Sequence, residues 1–200
     1  MKKLIKIFLL AAALIPTGCK NDQNSDNKQF IESPNGKYTV TLPKDMHTMS
    51  GINSSAQIQY ANLDKGISFM VIEEDIHEYK KLIDQNIKVF SEAECFDSTK
   101  NKNIYGLAGF EFLVIDHLVN HSDNFTIESK QNKDTIINDL KARILEYKEK
   151  IKGEKSYVVL CLYESATNFY QVYAMTSQKR IVENKNDMFE MVKSLKIKTN

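Results

Sequence analysis

The run Ile67-Ser68-Phe69-Met70-Val71-Ile72 does most to limit the folds open to this chain. A half-buried strand alternates apolar and polar residues, whereas a nearly continuous apolar run suits a central strand covered on both faces. Two further apolar segments, Tyr157 to Tyr163 and Phe169 to Met175, flank Ser165-Ala166-Thr167-Asn168 and read as a hairpin. Tyr38, Val40 and Leu42 alternate with Thr39 and Thr41 in another strand, entered through the turn residues Ser33-Pro34-Asn35-Gly36 and ended by Pro43. Ala56 to Ala61 carries a weaker alternation through Ile58 and Tyr60.

Helical spacing appears elsewhere. Asp75 stands three residues before Glu78, and Ile76, Tyr79, Ile83, Ile87 and Phe90 then recur every three or four residues, predicting a capped amphipathic helix. Tyr105 to Val119, containing GLAGFEFLVIDHLV, reads as a long strand, and the polar stretch Asn120 to Lys133 as a loop. Ile137, Leu140, Ile144, Tyr147 and Ile151 form a narrow stripe that predicts a helix over 134–152, closed by Gly153. A last helix is expected to run to about Leu195, with Ile181, Met188, Phe189 and Val192 inward. Consecutive strands on short turns argue for an α+β fold with a mainly antiparallel sheet and helices packed on it.

The N-terminus has a different character. Lys2, Lys3 and Lys6 precede and enter an apolar run from Leu4 to Ile15, then Thr17-Gly18-Cys19 follows. This twelve-residue run, which includes Lys6, falls short of the ~20 apolar residues of a spanning helix and matches a signal peptide. The small pair before a cysteine resembles the bacterial lipobox, with Pro16 standing where that motif usually has a branched aliphatic residue. The resemblance implies a signal peptide over 1–18 and lipidation of Cys19 with acyl chains such as palmitate. The membrane is then a partner through that lipid, and the domain lies in the periplasm or at the cell surface, on the inner or outer membrane. The stretch 20–29 holds no apolar residue, so 19–29 is expected to be a disordered tether. Asp22 and Asp26 beside Lys20 and Lys28 resemble the charged export signals of some Bacteroidetes lipoproteins. Residues 30–200 then form a single domain.

Two stretches of that domain resemble PsbP-like proteins: the strand and Leu-Pro step Tyr38-Thr39-Val40-Thr41-Leu42-Pro43-Lys44, and the closing segment Phe189 to Ile197. The strand pair Tyr157–Met175 fits the same pattern. The resemblance implies an α/β/α sandwich around an antiparallel sheet, with the 134–152 helix as an insertion. It also implies an accessory or binding protein of the cell envelope, not an enzyme.

The residues offer few routes to chemistry. A formal net charge of +1, with Arg143 and Arg180 the only arginines, gives no electrostatic case for nucleic acid. No nucleophile-elbow, zinc-protease or phosphate-loop motif occurs, and no cofactor is called for. His117 and His121 with Asp116 and Asp123 form the densest set of metal-ligand types. On the expected strand, positions four apart lie ~13 Å from each other. This set carries the rival reading of an envelope hydrolase with a metal near His117. Glu73, Glu74, Asp75, His77 and Glu78 form an acidic cluster that helix capping already explains in part. Cys95 and Cys161 remain for one disulfide or for two buried thiols. A third reading is an inhibitor or immunity lipoprotein acting on a protein partner.

Overall fold

The computed structural model describes residues 27–85, 104–121, 125–151 and 153–198. The leader, Cys19 and Cys95 lie outside them, as do Ile87 and Phe90 of the expected first helix.

A small sheet is built from β1 (Lys28–Glu32), β2 (Tyr38–Pro43) and β10 (Lys196–Ile197), with β2 in the middle. The expected turn joins the first two strands: Gly36 N–H donates to the Ser33 carbonyl at 2.9 Å, and Gly36 takes φ 71°, a conformation glycine adopts without strain. The main sheet has seven strands. They are β3 (His47–Thr48), β4 (Ile58–Asn62), β5 (Ile67–Asp75), β6 (Thr126–Ile137), β7 (Leu140–Ile151), β8 (Glu154–Glu164) and β9 (Asn168–Ser177). Their spatial order is β3-β4-β5-β9-β8-β7-β6, and every neighbouring pair is antiparallel.

Both faces of this sheet are covered. Phe69 and Val71 point into one core, shared with Tyr38, Val40 and Leu42 of β2 and with Met188 and Val192 of α3 (Ile181–Val192). Met70 and Ile72 point into a second core beneath α1 (Ile76–Gln85) and α2 (Leu107–His121). The sheet therefore carries α1 and α2 on one face, and α3 with the small sheet on the other. Among the described residues, no helix is long and apolar enough to cross a membrane.

Three expectations are corrected. Residues 107–121 form α2, not a strand. Leu107, Phe110, Glu111 and Val114 are its buried side, at the i, i+3, i+4, i+7 spacing of a helix face. The apolar run over 105–119 is also far longer than a usual strand, and its near-continuous hydrophobicity masked the period. Residues 134–152 are not a helix. They belong to the hairpin β6–β7, which also replaces most of the loop expected over 120–133. Both faces of β7 are packed: Ala142 and Ile144 meet the first core, Leu145 and Tyr147 the second. Burial on two faces erases the polar alternation and leaves a pattern that imitates a helical stripe. The hairpin turn is Asn138-Asp139, with φ 49° and 64°, the left-handed pair that favours Asn and Asp in two-residue loops. Asn138 Nδ2 also donates to the carbonyls of Lys193 (3.1 Å) and Leu195 (2.7 Å), pinning the turn to the end of α3.

A buried carboxylate fastens the hairpin to α2. Glu111 is 5% exposed and accepts from Lys130 Nζ, from Asn132 Nδ2 and, at 2.9 Å, from Arg143 Nη1. Arg143 also forks onto Asp134, through Nε to Oδ1 and Nη2 to Oδ2. Removing one partner of such a network leaves the others desolvated and unpaired. Glu111→Ala is therefore expected to destabilise the fold by about 3 kcal/mol, read as a lowered urea midpoint. An unchanged midpoint would contradict this role.

Candidate functional site

Strand alternation sorts the acidic cluster at the end of β5 to different faces. Glu73 turns toward the small-sheet side and accepts from Lys37 Nζ (2.6 Å) and Asn35 Nδ2 (2.8 Å). Asp75 caps α1, as expected. Its Oδ1 accepts the His77 N–H (2.7 Å) and the Glu78 N–H (3.1 Å), and these bonds hold its carboxyl below the usual range. Glu74 turns to the opposite face, into a cleft of about 690 Å³ between α1, α2 and the sheet.

Tyr79 and Phe110 line that cleft and belong to an aromatic clamp that continues behind it. Tyr79 of α1 meets Phe110 of α2 edge-on at 5.4 Å and Phe169 of β9 at 5.1 Å, while Phe110 stacks on Phe169 at 4.5 Å. Tyr79 Oη donates to the Ile104 carbonyl at 2.6 Å. Gly109 sits against that same carbonyl and hydroxyl, where a Cβ has no room. The clamp thus sets the spacing of the two helices.

The floor is Met70, Ile72, Gln171 and Tyr173, and the Tyr173 hydroxyl donates to Gln171 Oε1 at 2.8 Å. Leu82, Leu113 and Leu118 contribute apolar walls. Glu74, Glu78 and His117 stand at the mouth. Partial desolvation raises the Glu74 carboxyl, and the nearby His117 works against that rise. The result is an apolar trough with two carboxylates and an imidazole at one end, the composition of a small-molecule site.

Two residue sets that look unrelated in the sequence therefore meet. Glu74 and Glu78 from the acidic cluster and His117 from the His/Asp set line one cleft. Gln171 and Tyr173 join them from the second strand of the apolar hairpin, and no sequence signal marks them beyond their alternation with Val172. His77 lies at the exposed start of α1 and does not line the cleft. Positions 117 and 121 belong to a helix, where residues four apart share a face, so the strand separation does not apply. Asp123 and the His121 side chain lie outside the described residues. Among the described residues, no three His, Cys, Asp or Glu side chains gather as a metal-ligand set.

Cys161 is fully buried in β8 within the first core, and burial pushes its thiol up to about 12, so at neutral pH it is a small apolar packing residue. Cys95, the other member of the possible disulfide, is outside the described residues.

No family model matches the chain, and no curated protein does. Solved structures do. The solution structure of PsbP from the cyanobacterium Synechocystis sp. PCC 6803 superposes with a TM-score of 0.55 at 13% identity, over 92% of this chain and 99% of that one. LpqN, involved in cell envelope biogenesis of Mycobacterium tuberculosis, gives 0.48 at 11% identity, over 86% and 91%. A protein from Bacteroides thetaiotaomicron VPI-5482 gives 0.48 at 9% identity, over 87% of this chain and 50% of that one. At these identities the likeness is one of fold, and it is carried by the first. The chain has a mixed α+β, mainly antiparallel, PsbP-like fold.

On the same sheet face as the cleft, Glu149 of β7 is 6% exposed, and desolvation raises its carboxyl from 4.5 to about 7. The folded state keeps this proton across a range in which the unfolded chain has lost it. Stability contributed by Glu149 is therefore full below about pH 4.5 and falls as pH rises through 7, by up to about 3 kcal/mol. Chemical denaturation at pH 5 and pH 8 checks this: Glu149→Gln is expected to flatten that decline, and an unchanged pH slope would refute it.

Proposed function

We propose that this PsbP-like fold is a lipid-anchored, non-catalytic binding module of the bacterial cell envelope. The observation that carries the anchor is the leader itself. A charged start, an apolar run too short to span a bilayer, and Thr17-Gly18-Cys19 follow in the order of a lipoprotein signal. Two or three acyl chains on Cys19 hold a protein on a membrane effectively permanently, where one chain holds it only marginally.

The binding role is supported by the α1–α2 cleft. Its apolar walls and mixed floor suit a small amphipathic ligand, and its polar mouth suits a hydrogen-bonding or charged head. The one described cysteine is held as a neutral thiol in the core, away from that cleft. The chain also carries none of the nucleophile motifs that acyl or phosphoryl transfer would recruit.

Phase partition of whole cells in detergent tests the anchor. The native protein is expected in the detergent phase and to carry labelled palmitate; Cys19→Ala is expected to incorporate none and to be left uncleaved or cut elsewhere, with only a product cut free of its apolar leader moving to the aqueous phase. A Cys19→Ala protein that stays with the membrane and is cleaved normally would disprove lipidation.

A further inference from the structure

The point where the chain enters the domain decides which way the cleft faces. β1 and β2 belong to the layer that shares the first core with α3, while α1, α2 and the cleft lie across the main sheet. The entry is tied into that layer. Lys28 Nζ bonds Glu190 Oε2 of α3 at 2.9 Å, and the Asn27 carbonyl accepts the Lys44 N–H at 2.9 Å. Only residues 20–27 separate Cys19 from β1, and a stretch of that length reaches roughly 30 Å at full extension. A folded domain of about 170 residues is ~40 Å across, so a path from β1 around its side to a surface beneath α1 and α2 is ~50 Å or more. The tether is too short for the cleft side to rest on the membrane that holds the lipid.

The entry also carries an unburied aromatic residue. Phe30 is 80% exposed, three positions beyond Asn27. Its strand neighbours turn inward: Gln29 Nε2 donates to the Pro43 and Met46 carbonyls, and Ile31 packs on the core. The outward face of β1 therefore presents Phe30 at the end of the domain closest to the lipid. The nearby charges are largely balanced, with Lys28 paired to Glu190 and Lys65 to Asp45 and Asp187. The contact is thus aromatic in character, not electrostatic.

We infer that the β1 layer lies against the lipid bilayer with Phe30 in the headgroup region, and that the α1–α2 cleft opens away from the membrane. This rests on the lipidated Cys19 of the proposed function. One exposed aromatic ring binds a bilayer only weakly by itself, and a short tether supplies the local concentration that makes the contact persist.

The chain contains no tryptophan, so a single substitution installs a single fluorescent reporter. Phe30→Trp and Leu82→Trp, the latter 45% exposed on the cleft wall, are made in the full lipidated chain and reconstituted into phosphatidylcholine vesicles containing brominated lipid. Phe30→Trp is expected to emit to the blue of Leu82→Trp and to lose most of its emission to the brominated lipid. Leu82→Trp is expected to be quenched by aqueous iodide instead. Hydrogen exchange on the unsubstituted lipidated protein reads the same contrast without a variant: slowed exchange over Lys28–Glu32 on vesicles, unchanged exchange in α1. Protein that co-floats with vesicles but shows equal quenching at both positions, or no slowing in β1, overturns this placement alone. Protein that does not co-float at all overturns the anchor, and the placement with it.

Discussion

Residues Val158 to Tyr163 of β8 are all inaccessible to solvent. Their side chains divide strictly, with 159, 161 and 163 in one core and 158, 160 and 162 in the other. A strand of this kind is stable only with a layer on each side, because uncovering either face returns several apolar side chains to water at about 2 kcal/mol each. β9 makes the same demand through Phe169 and Tyr173 on one side and Tyr170 and Val172 on the other. The two helical layers answer that demand, and the small sheet completes one of them. Both the cleft and β1 take their positions from this arrangement: one lies in each layer, with the main sheet between them.

The same two-fold alternation distributes charge. Adjacent carboxylates at the end of β5 have three different fates: Glu73 is neutralised by Lys37, Glu74 enters the cleft, and Asp75 caps α1. Glu111 shows the opposite solution. It sits on the buried side of α2 and draws Lys130, Asn132 and Arg143 from two strands to satisfy it. Glu111 therefore ties α2 to the hairpin through polar bonds in addition to apolar packing.

Much of the architecture was legible in the residues. The turn at Ser33–Gly36, the strand Tyr38–Pro43, the Asp75 cap, the apolar hairpin and the closing helix each carry a local signal strong enough to survive tertiary context. The failures share one cause. α2 is apolar beyond the one side it buries, and β7 sends apolar side chains into both cores, so neither leaves the regular polar positions that reveal a period. Asn138-Asp139 was the available clue to the hairpin, since that dipeptide suits a two-residue turn and not a helix interior. The cleft was visible only as two separate groups of polar residues. Nothing local links Glu74 to His117, 43 positions later.

By itself the sequence determined an apolar sheet in a mainly antiparallel order. These features follow from short-range patterns: alternation, apolar runs and turn chemistry. Only the tertiary structure decided that α2 is a helix, that 126–151 is a hairpin, and that Glu74, His117 and Tyr173 share one cleft on the face opposite β1. Those outcomes depend on which side chains meet across the sheet. Such meetings are set by the packing of layers distant in sequence, where local propensity no longer governs the choice.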